Sequence, residues 1–139
     1  LAKGIRSVLM VDMKGWELPK RSIISSADLV YDRVKNDTLI GYSVSSYPLM
    51  NQADFSNFNI YDNDPYDVES NYLSSAPIIN NQLKINYRKI STEFGRGGKV
   101  NYGFKIQSSP SSDPFKTIQF HNLNSNISYP LLRVIYVRQ

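Results

Sequence analysis

The residues of this chain best suited to chemistry are aromatics and acids in polar segments. Trp16, Tyr42, Tyr47, Tyr61, Tyr66 and Tyr72 fall among Asn, Asp, Ser and Pro. Aromatic faces in such loops offer flat apolar platforms on which a sugar ring can stack. Trp16 stands out because it occupies a turn, Gly15-Trp16-Glu17-Leu18-Pro19, between two apolar runs. The structural alternative is packing. Tyr31, Tyr87 and Tyr136, inside strand patterns, are read as core or cross-strand partners.

Asp62, Asp64, Asp67 and Glu69 cluster within eight residues. Hard cations prefer several oxygen ligands, so this run can hold calcium. It lacks the Gly and the spacing of an EF-hand loop, and Pro65 interrupts it, so a solvated loop is the other reading. No Lys or Arg lies between Lys35 and Lys84, whereas six acids do. That stretch carries −6 and the remainder +10, giving the net +4. The acidic stretch is either a solvated loop or a contact surface for a cation or a basic partner.

No catalytic set is visible. His121 is the single histidine and lies in a strand pattern beside Phe120 and Asn122, which reads as structural or solvent-facing rather than as part of a triad. Gly95-Arg96-Gly97-Gly98-Lys99 lacks the spacing of a phosphate-binding loop and reads as a turn. The pI of about 9.3 favours nucleic acid, but the cations are scattered rather than striped. The chain therefore reads as a non-enzyme without nucleic-acid binding. With no Cys, disulfides, thiol catalysis and Cys-based zinc sites are absent. No apolar run approaches the ~20 residues that span a bilayer. The opening Leu1-Ala2-Lys3-Gly4, without Met or signal peptide, reads as part of a longer or processed chain.

At 139 residues the chain is expected to form one domain over 1–139. Eighteen Ser and thirteen Asn supply turns, and ten Tyr suit pleated surfaces. Strands are expected over Ile5–Met13, Ile23–Tyr31, Leu39–Val44, Leu83–Tyr87, Val100–Gln107, Thr117–His121 and Leu131–Val137. A weak strand is read at Phe58–Tyr61, within loops running from Ser45 to Asn81. Arg88–Phe94 reads as one or two helical turns stopped by Gly95. The pattern predicts an all-β fold, an antiparallel sandwich of jelly-roll type with long polar loops and at most one short helix.

The order of motifs resembles a known family. Arg6-Ser7-Val8-Leu9-Met10-Val11-Asp12-Met13, then Leu18-Pro19, then Ile23 to Leu29 with Ala27, resembles the opening of DNRLRE domains, carbohydrate-binding module family 96. Leu83 to Gly98, Asn101-Tyr102-Gly103-Phe104, and Phe120 through Tyr136 are similar to its later segments. The likeness covers the first and last thirds and fails from Asn36 to Asn81. Val11 stands where the family has Phe, the turn at Lys14–Trp16 is longer, and the usual upstream strand is missing. A family of Bacteroidetes surface lipoproteins shares the Ile-x-x-Ala-x-Leu strand, with poorer C-terminal agreement. The resemblance implies a jelly-roll module of a secreted, cell-surface or virion protein, adhesive or polysaccharide-binding and without catalysis of its own. Its expected partner is a polysaccharide or cell-surface glycan, with Trp16, Tyr47, Tyr61, Tyr66 and Tyr72 as contacts and no cofactor unless calcium. The alternative is a structural module that packs against other subunits of a larger assembly.

Overall fold

The computed structural model describes residues 7–11, 13, 16–34, 42–53, 67–109, 118–122, 124–126 and 128–139. Seven strands dominate them: β1 (Ser7–Leu9), β2 (Ser22–Asp32), β3 (Ser43–Pro48), β4 (Ser74–Ile79), β5 (Gln82–Asn86), β6 (Phe104–Ser108) and β7 (Leu131–Arg138). One α-helix, α1 (Arg88–Gly95), follows β5, and a 3-10 turn covers Ser70–Tyr72. The strands join in the order β1-β6-β3-β4-β5-β2-β7, and every neighbouring pair is antiparallel. The expectation of a mostly antiparallel β fold with one short helix is met.

Strand β4 is shared between the two halves of the sheet. Its residues Ser74–Pro77 pair with β3, whereas Ile78 and Ile79 pair with β5. Pro77 stands where the ladder changes partner, a position that tolerates a missing N–H. Asn80 and Asn81 make the turn into β5 with φ of 50° and 62°. Asn tolerates this left-handed region, and two such residues in succession match the twist of a tight hairpin.

Both halves bury side chains in one core. Leu29, Leu83 and Ile85 come from β2 and β5, and Val44, Ala76 and Phe104 from β3, β4 and β6. Tyr87, just past β5, stacks on Phe104 of β6 with ring centroids 4.2 Å apart. Three strand spacings separate β5 from β6, about 14 Å if the sheet were flat. The sheet therefore bends around its core. On β2 a register shift between Ile24 and Ser26 lets Ile24 and Ala27, three residues apart, both point inward.

Several sequence expectations need correction. The third strand is Ser43–Pro48 rather than Leu39–Val44, and residues 39–41 lie outside the described residues. β4 lies inside the span read as loops. Both were obscured by serines, of which the structure buries Ser45 and Ser46 of β3 with partners. Ser45 Oγ shares hydrogen bonds of 2.8 Å with the hydroxyls of Ser75 and Ser109, and Ser46 pairs with the Tyr87 hydroxyl. A satisfied hydroxyl can occupy a buried strand position. β6 begins at Phe104 rather than Val100. Thr117 lies outside the described residues, and residues 118–121 of that expected strand form only a bridge, Arg33 to Phe120, beyond the end of β2. Phe58–Tyr61 lies outside the described residues.

Candidate functional site

The site is built where the segment before β2 crosses the end of α1. Asn86 Oδ1 accepts the Arg88 backbone N–H at 2.9 Å, a local turn that leads into the helix. Arg88 Nε donates to the Ile24 carbonyl at 2.8 Å, beside the irregularity in β2, and so ties helix to sheet. At the other end Gly97 N–H bonds the Phe94 carbonyl and Gly98 N–H the Glu93 carbonyl. Gly97 has φ of 72°. These are the two bonds of a Schellman stop, so Gly95-Arg96-Gly97-Gly98 is a helix cap.

Gly95 has a second role that the sequence concealed. A Cβ there would lie 2.6 Å from Trp16 Cζ3 and 2.9 Å from Leu18 Cβ. The indole thus seats directly on the helix backbone, and Leu18 N–H fixes the segment by donating to the Gly95 carbonyl at 2.8 Å. Trp16 is half-buried. It lines a cavity of about 260 Å³ whose apolar wall also includes Met10, Val11, Met13 and Phe94. Lys99 and Asn101 supply its polar groups.

Asn101 holds this wall in place. Its Nδ2 donates to the Val11 carbonyl at 2.7 Å, and its Oδ1 accepts the Gly103 N–H at 3.0 Å. Gly103 has φ of 98°, and a Cβ on it would meet the Leu9 carbonyl oxygen at 2.7 Å. The Asn-Tyr-Gly-Phe motif thereby draws the 9–11 segment against β6.

Lys99 continues from the cavity into a charged cluster. Its Nζ lies 2.9 Å from Glu69 Oε2 and 5.3 Å from the Tyr72 ring centroid. Lys89 Nζ lies 4.7 Å from the same centroid. The Lys99 ammonium holds the Glu69 carboxyl below its usual value, and that carboxylate raises the Lys99 pKa. Tyr72 is therefore a cation–π platform for two lysines. A sugar stacking on a ring face that either lysine occupies would have to displace an ammonium.

The other expected site residues are dispersed. Tyr42 is buried in the core rather than presented to a ligand. Tyr47 is half-buried on β3, opposite Lys105 of β6. Tyr61 and Tyr66 lie outside the described residues. Of the proposed calcium ligands, Asp67 accepts from Asn51 Nδ2 at 3.1 Å and Glu69 is engaged by Lys99. Asp62 and Asp64 lie outside the described residues, and among those described no three His, Cys, Asp or Glu side chains gather as metal ligands. Of the tyrosines assigned to packing, Tyr87 is core and Tyr31 meets Phe120 at 5.4 Å. Tyr136 faces Ile24 across the ladder yet remains 42% exposed.

His121 fastens a loop. Its Nδ1 lies 3.0 Å from Ser125 Oγ, and its backbone N–H donates to the Asp32 carbonyl. The Asp32 carboxylate instead accepts from the Ser128 hydroxyl and from Gln82 Nε2 at 2.9 Å. Nucleophile, base and orienting acid are thus not connected in the order that acyl transfer needs. Compared with known proteins, the chain matches no family model and no curated sequence.

Proposed function

We propose that this chain is a non-catalytic binding module, a β-sandwich of jelly-roll type similar to the DNRLRE domains, that attaches a larger extracellular or virion protein to a glycan-bearing surface. The observation that carries the reading is the Trp16 cavity. An indole, two thioether side chains and a phenyl ring line it, with an ammonium and an amide among them. Sugar rings have an apolar face and a polar edge, and apolar pockets with a few placed polar groups suit such ligands. The Asn101 amide holds the backbone through one N–H and one lone pair, so its second N–H and the Lys99 ammonium would supply the hydrogen bonds.

Affinity electrophoresis against a polysaccharide panel, with and without calcium, tests this reading. Retardation by one polymer, lost in Trp16→Ala, is expected. No retardation of a folded protein by any polymer would oppose it. A second reading, packing against neighbouring subunits in a particle or surface appendage, is favoured by the exposed apolar side chains of β7.

A further inference from the structure

Strand β7 ends the sheet and pairs only with β2 among the described residues. An eight-residue edge leaves a row of backbone donors and acceptors open to another strand. Natural edges are usually shortened, bulged, prolyl or rich in lysine. This one carries no Lys and no Pro, and its ladder with β2 is regular from Ser26 onward. Leu131, Ile135, Tyr136 and Val137 are 43%, 51%, 42% and 54% exposed.

The two faces of β7 differ in what they lack. Leu132, Val134 and Tyr136 oppose the inward Leu29, Ala27 and Ile24 of β2, so they form the last row of the core. Leu132 and Val134 are half-buried, and Tyr136 stands open at the rim. Leu131, Ile135 and Val137 lie on the opposite face with Ile23, which is 39% exposed. An occupant of this edge must therefore be an extended strand with apolar side chains on both faces. It must also place no cation opposite Arg133 or Arg138.

We infer that the occupant is a second copy of the same strand, paired antiparallel about a two-fold axis through Val134. An isologous contact places the same patch on both sides. In this register Leu131 faces the partner's Val137, Leu132 faces the partner's Tyr136, and Arg133 faces the partner's Ile135. Arg138 falls opposite the partner's Pro130. No like charges face each other, and aromatic–aliphatic pairs close the rim of both cores. An axis through Arg133 would set arginine against arginine. An axis through Ile135 would set Leu132 against Arg138 and Val137 against Arg133, and would keep only the Val134–Tyr136 and Ile135–Ile135 apolar pairs. The side-chain pattern therefore selects both the partner and the register. The inference is independent of glycan binding, which a monomer can perform equally well.

Sedimentation of the 139-residue chain across a concentration series is the test, with circular dichroism to confirm folding. A reversible monomer–dimer equilibrium is expected. Ile135→Lys, which sets a cation against Arg133 of the other copy at an exposed position, weakens dimerisation at least tenfold while the fold persists. Ile79→Lys, on an exposed position of β4, leaves it unchanged. The chain has no Cys, so mild oxidation of Val134→Cys reports the register directly by trapping a covalent dimer. A folded protein that stays monomeric at all concentrations overturns the inference. So does a dimer that survives Ile135→Lys and gives no Val134→Cys crosslink.

Discussion

The Tyr87 ring lies on the Phe104 ring with centroids 4.2 Å apart and planes 10° from parallel. Tyr87 lies just past β5 and Phe104 opens β6, so this contact joins two strands that stand three places apart in the bent sheet. The Tyr87 hydroxyl also pairs with Ser46 of β3. Phe104→Ala removes one face of the stack and leaves a cavity at a position 1% exposed. A loss of about 3–5 kcal/mol in chemical denaturation is expected.

Alkaline pH should weaken the same region. Burial pushes the Tyr87 and Tyr31 phenols above their ordinary 10.0. The unfolded chain then ionises first as pH rises. The stability these groups contribute is complete below pH 10 and declines as pH climbs towards their folded values. Tyr87→Phe should flatten the alkaline limb of the stability profile, at the neutral-pH cost of about 1 kcal/mol for the lost hydrogen bond.

At acid pH Asp32 provides the corresponding term. The Ser128 hydroxyl and the Gln82 amide hold its carboxyl below the ordinary 3.8. Its contribution is complete above about pH 4 and is lost as pH falls through the folded value. Asp32→Asn should reduce the steepness of acid unfolding, and carbon-detected titration should place the Asp32 midpoint below that of a model peptide.

Gly95→Ala tests the seat of Trp16. The added methyl overlaps the indole, so the ring must move, at an expected cost of about 1–3 kcal/mol. Because the chain has one Trp, its fluorescence reports this ring alone, and a red shift is expected. Gly97→Ala, which strains only the left-handed cap, should cost about 1 kcal/mol without shifting the emission.

Asn101→Ala tests the clamp on the cavity wall. It leaves the Val11 carbonyl and the Gly103 N–H without their side-chain partner. A loss of about 1–3 kcal/mol is expected, with faster hydrogen exchange at residues 9–11 than in β5. Unchanged exchange at 9–11 would contradict the clamp.

The sequence carried the strands whose apolar period is clean. The alternation around Leu83 and Ile85, the Ile23–Tyr31 run and the Leu131–Val137 run all became strands. Strands built from serine were hidden, because a hydroxyl scores as polar whether or not Ser75, Ser109 or Tyr87 stands within reach. Arg88 to Phe94 was legible as helix, but Gly95 read only as its stop. That a glycine also cleared room for an indole some eighty residues earlier depends on a tertiary contact that no local pattern encodes. For the candidate site, Trp16 was legible from its turn. Its companions Met10, Met13, Phe94, Lys99 and Asn101 were not, since three separate segments supply them.

The measurement that bears most directly on the proposed function is the fluorescence of Trp16 titrated with soluble polysaccharides from the same panel. Saturable change of intensity or emission maximum with one polymer, absent with the others and weakened in Lys99→Ala, is predicted. Emission that stays constant with a polymer that nevertheless retards the folded protein would show that binding lies away from the Trp16 cavity and would contradict the account.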